Sequence, residues 1–567
     1  MGSDARGRDR AVKALFALIG LGYLASALLG TWNNYSSVPF WDMWNGYLGF
    51  YTRSGEGWEP WWALHNEHRI LLSRALFWLD LRLFHGSMVL LFALNVLFAA
   101  CIFLCFFATL KRLVPDDGRR LTVPAATALI AVASFSWIQS DNFTWAFQSQ
   151  FFLAYLMPLL AFYLLARAAE TGSQPLFVLA LLTGMLSAGT MANGVLASPV
   201  LAVLGIFLRL GRARLVALLV AAALELTVYF HGFSLPPDHS TLTGVLRDMP
   251  LNLLRYLLMY LGGPWFFVFQ GRSQVFPLVG GVLLLAGIAV VVASMLRARR
   301  AAPLQLALLA FLLFFGGTAL GTAGGRVAIG VEQAMSSRYL TPQLMAWSAL
   351  LILLVSQFHR FSQTLLVAAA LLIPVALLRW QVHTLVEPAR LFDHKVAALA
   401  VQMGVRDPDY FRTIYFNDRL LFDLAGQAKR EHLAIFAEAP YRAYAEHAGA
   451  PLVPPAPRCT AYLDEASALP EQPGAYRLRG RLAKADDHAT PAFLLVADGD
   501  GRVIGAALTG APRLDAARAL MARVTGEPVD RSGFVGYLAT EGRPRGPLTL
   551  IGQSPACQAT VALPPAP

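Results

Sequence analysis

The sequence predicts a polytopic α-helical membrane protein of about eleven transmembrane helices, followed by a soluble C-terminal domain that is first helical and then β-sandwich-like. Composition is the first reason: the 567 residues are 56% hydrophobic and only 14% charged, against roughly 25% charged residues in an ordinary soluble domain. Charge distribution is the second. Residues 1–380 carry 26 basic and 15 acidic side chains, whereas residues 381–567 carry 20 of each. The apolar part therefore holds the whole net charge of +11.

These observations exclude a disordered protein, a collagen-like fibre and a simple soluble enzyme. Nucleic-acid binding is also excluded, because the positive charge lies in short runs between apolar segments. We predict three regions: a transmembrane domain at 1–380, a helical connector at 381–450 and a small β-rich domain at 451–567.

The crossings are placed by length, since a helix needs about 20 mostly apolar residues to span the hydrocarbon. Basic residues before the first crossing resemble a signal peptide, but no small-residue cleavage pattern follows Leu28, which favours an uncleaved anchor. The segments that meet or approach this length are 11–30, 87–110, 121–138, 144–166, 176–191, 194–210, 213–231, 275–296, 303–321, 339–357 and 362–379.

Orientation follows from the loops, because short cytoplasmic loops are enriched in Lys and Arg. With the N-terminus inside, the outer loops are the long ones, 31–86, 232–274 and 322–338, and an odd number of crossings places the C-terminal domain outside. The basic residues then predicted inside are Lys111, Arg112, Arg119, Arg120, Arg167, Arg212, Arg214, Arg297, Arg299, Arg300 and Arg360.

The first outer loop opens with Asp42, flanked by Trp41 and Trp44. A carboxylate in such surroundings loses hydration, which raises its proton affinity and suits it to general-base catalysis. The alternative is an aromatic belt at the headgroup level with a solvated Asp42.

Farther along the same loop, His65, Glu67, His68 and Arg69 concentrate two imidazoles, a carboxylate and a guanidinium within five residues. On a helix, His65, His68 and Arg69 would share one face, with Glu67 pointing elsewhere. Three interpretations stay open: binding of a phosphate and sugar hydroxyls with Arg69 as the fork, a metal site, and a structural network. The order of residues lacks the His-Glu-x-x-His pattern of zinc proteases, so we prefer ligand binding and predict no metal.

Other outer segments add to the predicted site. Residues 70–84 and 245–261 read as interfacial helices. Trp145 and Gln148 lie near the start of a crossing; indoles and amides bind sugars, but they also make helix–helix contacts.

The last outer loop leads through Arg338 and Tyr339 into a crossing. An arginine at that depth can pair with a lipid phosphate in bidentate fashion, or it can snorkel to ordinary headgroups.

With Asp42 after the first crossing, interfacial helices in the first outer loop, and Arg338, Tyr339 and Pro342 opening a late helix, the sequence resembles the GT-C superfamily of membrane glycosyltransferases. The resemblance covers the architecture of residues 1–380. It implies that Asp42 is the base or acceptor-activating group and that Arg338 engages the lipid phosphate of a polyprenyl-phosphate sugar. Many members have paired acidic residues in the first loop, whereas Asp42 stands beside Met43.

The predicted function is transfer of a sugar from a polyprenyl-phosphate donor to a glycan, lipid or protein acceptor of the cell envelope, at the outer face of a bacterial inner membrane. No nucleotide-binding motif is present, and no cofactor is indicated. A transporter or flippase of a lipid-linked saccharide is the main alternative, but no internal repeat is evident and the polar candidates crowd one face. A non-enzymatic scaffold would leave the first-loop cluster unexplained.

In the tail, short alternating runs beyond a proline-rich hinge at 451–457 predict a small β-sandwich. The stretch Asp498-Gly-Asp-Gly501 predicts a hairpin turn rather than a calcium loop. An oxidising compartment would permit a disulfide between Cys459 and Cys557, whereas Cys101 and Cys105 read as buried thiols.

Overall fold

The computed structural model confirms the predicted fold class, with many long apolar helices and a β-sheet domain at the C-terminal end. Three of the basic residues predicted inside, Arg119, Arg120 and Arg360, lie outside the described residues. The structure describes residues 2–114, 121–234, 241–358, 363–385, 389–455, 457–483, 491–511, 532–540 and 546–563.

Two compact units make up the chain. The first unit consists of Met1–Trp32, Trp58–Leu76 and Leu91–Thr384, and the second unit of Asn33–Gly57, Phe77–Leu90 and Leu385–Pro567. The start of the first outer loop, including Asp42, therefore clusters with the C-terminal region.

The α-helices are numbered in chain order. They are α1 Gly2–Asn33, α2 Gly49–Arg53, α3 Glu59–Trp62, α4 Leu71–Phe84, α5 Val89–Leu113, α6 Thr122–Phe135, α7 Ser140–Thr144, α8 Ser149–Thr171, α9 Gln174–Ser187, α10 Ala197–Phe207, α11 Arg212–Phe230, α12 Leu242–Asp248, α13 Pro250–Gly262, α14 Pro264–Val268, α15 Val275–Ala298, α16 Pro303–Arg326, α17 Ser337–Gln357, α18 Gln363–Gln381, α19 Arg390–Met403, α20 Pro408–Ile414, α21 Asp418–Arg430 and α22 Ala439–His447.

Within the described part of the chain, nine segments are long and apolar enough to cross a membrane. Each coincides with a predicted crossing, and nine is odd, as eleven is. They are Asp9–Asn33, Val89–Leu113, Thr122–Thr144, Ala146–Thr171, Arg212–Phe230, Val275–Ala298, Pro303–Ile329, Ser337–Gln357 and Gln363–Met403.

The other two predicted crossings, at 176–191 and 194–210, form shorter apolar helices than expected. Helix α9 has 14 residues, or about 21 Å at 1.5 Å per residue, against a hydrocarbon core of roughly 30 Å. The chain turns tightly between the pair, since a Cβ on Gly194 would lie 1.8 Å from the carbonyl oxygen of Ser187. Of the about eleven predicted crossings, nine reach full length and this pair is shorter. Because the two short helices are consecutive, the parity of the crossings does not change.

Helices α13 and α15 of the first unit pack with their backbones in contact. A Cβ on Gly262 would lie 2.0 Å from the carbonyl oxygen of Pro277, and one on Gly281 would lie 2.2 Å from that of Leu258. Small residues permit this approach in membrane-type packing. It holds α13, which carries Tyr256 and Tyr260, firmly against its neighbour.

The β domain of the second unit is one seven-stranded antiparallel sheet in the order β1-β2-β5-β4-β3-β6-β7, not the predicted pair of packed sheets. The predicted hairpin turn is confirmed, because Oδ1 of Asp498 accepts hydrogen bonds from the amides of Asp500 and Arg502 at 3.0 and 2.9 Å. The strands are β1 Thr460–Ala468, β2 Ala475–Ala483, β3 Phe493–Ala497, β4 Val503–Ala511, β5 Gly533–Ala539, β6 Leu548–Gln553 and β7 Ala556–Val561.

This sheet is joined at its two edges. The amide of Cys459, just before β1, donates to the carbonyl of Gln558 in β7 at 2.9 Å, and a disulfide joins Cys459 to Cys557 with 5.6 Å between their Cα atoms. Pairing the first strand region with the last curls the sheet around its own apolar core, which explains why a second sheet is not needed.

Candidate functional site

The polar turn of the first unit spans residues 65–68. His65 and His68 exchange backbone hydrogen bonds of 2.8 and 3.0 Å, and Asn66 takes the left-handed conformation with φ of 52°, which Asn tolerates better than most residues. The interpretation in which His65, His68 and Arg69 share a helical face is therefore wrong: the segment is a tight turn between α3 and α4.

Glu67 at the tip of this turn pairs with Arg326, at the C-terminal end of α16. The Nη2 atom of Arg326 lies 2.8 Å from Oε1 of Glu67, and Nε2 of His68 lies 3.5 Å from the same oxygen. Nδ1 of His68 accepts a hydrogen bond from the amide of Ala192 at 3.2 Å. Because Nδ1 is an acceptor, the proton of the neutral ring is on Nε2, facing the carboxylate.

Arg69 is engaged by the backbone. Its guanidinium donates to the carbonyl oxygens of Tyr229, Trp62 and His231 at 2.9, 2.5 and 2.8 Å, and it lies 5.0 Å from the ring centroid of Trp62. Three of its five N–H groups are thus directed at carbonyl oxygens. Arg69 has the geometry of the structural-network interpretation, clamping its own loop to the end of α11.

His65 is buried and its ring lies 5.2 Å from that of Phe147. Burial, followed by the nearby charges of Arg74 and His68, lowers the pKa of His65 from 6.5 to about 3. Its imidazole is therefore neutral across the physiological range.

Trp145 and Gln148 lie on the short segment that leads into α8, where Phe147 stacks on Trp145 with 5.9 Å between ring centroids. Gln148 is 0% exposed, yet neither Oε1 nor Nε2 of its amide has a hydrogen-bond partner within the part of the chain that the structure describes. Buried amides without partners are rare in native proteins. The arrangement therefore suits a polar ligand that would complete these bonds.

The start of α17 is set by Pro342. Proline has no N–H, so the carbonyl of Arg338, four residues earlier, loses its helical hydrogen bond. The side chain of Asn142 replaces it, donating to this carbonyl at 2.9 Å and to Oγ1 of Thr341 at 2.7 Å. The spacing Arg-Tyr-x-x-Pro thus leaves the carbonyl of Arg338 free to accept a hydrogen bond from Asn142 of α7. This bond holds the backbone of Arg338 in place.

The guanidinium of Arg338 differs from that of Arg69. It is half-buried and lies 5.2 Å from the ring centroid of Tyr339. Its Nε atom is buried without a partner, and none of the described carboxylates lies within ion-pairing distance of it. Its donors are thus not directed at other described side chains.

The positive charges of Arg338 and Arg326 both act on Tyr256. Tyr256 is fully buried; burial and Tyr339 raise its pKa, while the positive charges of Arg326 and Arg338 act in the opposite direction. Tyr260 stacks beside it and lies 5.7 Å from Tyr339. Within the first unit, contacts and electrostatic interactions thus link the polar turn to the start of α17. We call these residues the arginine–tyrosine cluster (Glu67, Arg326, Tyr256, Arg338 and Tyr339).

Asp42 lies in the second unit, in a 3-10 turn at Trp41–Met43. It is half-buried, and the pKa of Tyr415 is raised by burial and then by the charge of Asp42. Trp41 has a left-handed φ of 49° and lies 5.9 Å from Phe416. The surroundings of Asp42 are thus aromatic, as predicted. Its role as a catalytic base stays a prediction.

Trp44 departs from the aromatic-belt interpretation because it is fully buried in the second unit. Among the described residues, no group of three or more His, Cys, Asp or Glu side chains is placed to hold a metal ion.

Two residues near these sites, Arg326 and Tyr415, were not predicted from the sequence. Arg326 could have been noticed because it stands at the predicted outer end of a crossing, against the usual bias of basic residues to the inside. Tyr415 carries no such signal, since its nearness to Asp42 depends on contacts across more than 370 positions.

Comparison with known proteins gives little. No family model matches the sequence, and no curated protein matches it. One solved structure with a likeness is the oligosaccharyltransferase of Archaeoglobus fulgidus, crystallised with a tethered acceptor peptide: 16% identity and a TM-score of 0.38 over 71% of this chain and 59% of that one. A TM-score this low carries no argument about fold or activity, and this chain spans less than two thirds of that protein.

Proposed function

We propose that this chain is a membrane glycosyltransferase that moves a sugar from a polyprenyl-phosphate donor to a cell-envelope acceptor at the outer face of a bacterial inner membrane. The observation that carries the proposal is Arg338 in the arginine–tyrosine cluster: its guanidinium lies 5.2 Å from the ring of Tyr339, its buried Nε has no hydrogen-bond partner and no described carboxylate pairs with it. Such an arrangement suits an anion brought by a ligand.

The donor phosphate is assigned to Arg338. A planar guanidinium binds two phosphate oxygens at once, and its position at the first turn of the long apolar α17 suits a phosphate on a lipid whose chain lies in hydrocarbon. Arg326, neutralised in part by Glu67 at 2.8 Å, supplies a second, weaker positive charge. Together they would stabilise the lipid phosphate as it leaves with the bonding electron pair.

The sugar is assigned to Gln148 and Trp145. The buried amide of Gln148 offers two donors and an acceptor to hydroxyl groups, and the indole offers an apolar face. Arg69, His65 and His68 are assigned to holding the turn in place and not to binding the ligand. Arg69 and His68 hydrogen-bond to the backbone, and the ring of His65 packs near Phe147.

Asp42 is proposed as the general base. It would take the proton of the acceptor hydroxyl while that oxygen attacks the anomeric carbon, and the polyprenyl phosphate departs. It is half-buried and its neighbour Trp41 lies 5.9 Å from Phe416, so the acceptor hydroxyl would meet it at an aromatic surface. This step requires Asp42 to lie within hydrogen-bond distance of the acceptor hydroxyl when the donor is bound.

The outer location is supported by the disulfide between Cys459 and Cys557, because disulfides persist in oxidising compartments. It also follows from an odd number of crossings if the basic loops face the cytoplasm.

The test is transfer of radiolabelled sugar from polyprenyl phosphate by the purified full-length protein, comparing wild type with Asp42→Asn. We expect transfer to fall by about 10²- to 10⁴-fold when a general base is removed. Glu56→Gln, an exposed carboxylate change in the same loop, is the matched control and should retain activity. Undiminished transfer by Asp42→Asn would remove Asp42 from catalysis, and movement of intact lipid-linked sugar without bond cleavage would favour a flippase instead.

A further inference from the structure

A large cavity lies in the first unit, between α10, α15 and α16; we call it the basic cavity. Its volume is about 1110 Å³. Most of its wall is aliphatic, and several of the wall residues are exposed, among them Phe207, Leu296 and Leu313. The lining residues are Val200, Val203, Leu204, Phe207, Leu208, Arg209, Val292, Met295, Leu296, Arg299, Arg300, Ala301, Ala302, Pro303, Leu306, Leu309, Ala310 and Leu313.

Three arginines, Arg209, Arg299 and Arg300, lie at the mouth of this basic cavity. Arg209 follows the end of α10 and Arg299 caps the end of α15, each with a left-handed φ, of 54° and 51°. All three side chains are exposed, and none of them is ion-paired with a carboxylate of the described chain. Three positive charges thus line one opening, and no described carboxylate pairs with any of them.

The basic cavity is distinct from the arginine–tyrosine cluster. Its arginines lie at the start of α16, whereas Arg326 is the last residue of that helix. The 24 residues of α16 rise about 36 Å, roughly the thickness of the hydrocarbon core. The two basic sites therefore lie at opposite ends of one membrane-crossing helix.

We propose that the basic cavity binds an anionic phospholipid, with its phosphate held by Arg209, Arg299 and Arg300 and its acyl chains along the aliphatic wall. The charges select against a zwitterionic lipid, because a basic pocket between membrane helices gains most from a headgroup of net negative charge. The aliphatic wall selects against a soluble anion, which would leave that surface uncovered. A helix of a second copy would also cover the wall, but it would leave three uncompensated guanidiniums beside it. This proposal stands independently of the proposed glycosyl transfer.

The test measures lipid binding to the full-length protein in neutral phosphatidylcholine nanodiscs, titrated with phosphatidylglycerol or cardiolipin and read by native mass spectrometry. Each arginine that contacts the bound lipid phosphate should contribute about 1 kcal/mol, so replacing all three by Gln should weaken binding roughly 100-fold. A control with Lys111→Gln, Arg212→Gln and Arg297→Gln removes the same charge from exposed positions that do not line the cavity. It should change binding by less than about threefold.

A second variant guards against misfolding: replacing the three arginines by lysine retains the charge and should retain most of the binding. Equal losses in the cavity variant and the control would overturn the site, since they would show only diffuse attraction. Displacement of the lipid by millimolar inorganic pyrophosphate would show a soluble-anion site, and protection of the cavity by dimerisation, with no bound lipid, would show a second copy. Either result also overturns the proposal.

Discussion

Arg69 and Arg338 both lie in the first unit and share one sequence-based prediction, but the structure gives them different surroundings. Both were predicted to bind the phosphate of a ligand. Arg69 directs its guanidinium at three carbonyl oxygens of its own chain. Among the described residues, the guanidinium of Arg338 contacts the ring of Tyr339 and pairs with no carboxylate. The comparison teaches that a guanidinium is available to a ligand only when the fold leaves its donors unmatched, and that residue type does not reveal this.

Of the variants that test this comparison, Arg338→Gln should have the largest effect on sugar transfer. Changing Arg338→Gln should reduce sugar transfer by about 10²- to 10³-fold, as loss of one transition-state charge donor does, while the melting temperature changes little. Transfer assays on the purified variant test the loss of activity, and differential scanning fluorimetry tests the melting temperature. If Arg338→Gln melted far below wild type, the distinction from Arg69 would fail, and Arg338→Lys, which retains the charge, would report whether charge or fork geometry matters.

Arg69→Gln should show the reverse pattern. Losing three bonds from a buried guanidinium to carbonyl oxygens is expected to cost about 3 kcal/mol of unfolding free energy. Activity per folded molecule should stay close to that of wild type. Chemical denaturation in detergent measures the first quantity and active-site-normalised transfer the second. Arg53→Gln, an exposed arginine in the same loop, should be silent in both, and a stable but inactive Arg69→Gln would return Arg69 to the ligand site.

The turn that precedes Arg69 should also reveal itself through pH. Since the pKa of His65 falls from 6.5 to about 3 on folding, the unfolded chain binds a proton between these values that the folded chain does not. Stability contributed by this residue is therefore present above about pH 6.5 and is lost as the pH falls, by about 2 kcal/mol at pH 5.

The variant His65→Leu should flatten the pH dependence of unfolding free energy in that window. Changing the exposed His432→Gln should leave it unaltered. An unchanged slope in His65→Leu would show that His65 is solvated in the folded protein.

The smallest effect concerns Gln148. Replacing its buried amide by leucine should leave stability equal to wild type or raise it by up to about 1 kcal/mol, because polar atoms without partners are removed. The KM for the donor should rise by roughly tenfold, the equivalent of about 1.4 kcal/mol of lost hydrogen bonding. A clear destabilisation would mean that the amide has a structural partner, and an unchanged KM would remove it from the sugar site.

Much of the fold was predictable because hydropathy is a local property. The crossings at 87–110, 275–296 and 303–321 match α5, α15 and α16 closely, and the turn at Asp498 forms as its residues predict. Two predictions were less accurate. The length of the crossing at α9 was overestimated, and the strands form one curled sheet rather than two packed sheets. A single curled sheet and a sandwich share the same alternation. The possible disulfide between Cys459 and Cys557 could be named from the sequence, but the backbone hydrogen bond from Cys459 to Gln558 that joins the sheet edges could not.

The candidate site divides in the same way. The sequence by itself determined which polar side chains lie at the ends of membrane helices, and from this it predicts Asp42, the 65–69 group, Gln148 and Arg338 as candidates. Only the tertiary structure decided which partners each of them contacts. Arg69 meets a carbonyl 160 residues away, Arg326 reaches Glu67 across 259 residues, and Asn142 holds the carbonyl of Arg338 from 196 residues away. A polar side chain acts through whichever partners the folded chain brings within about 3 Å, and no local pattern encodes who those partners are.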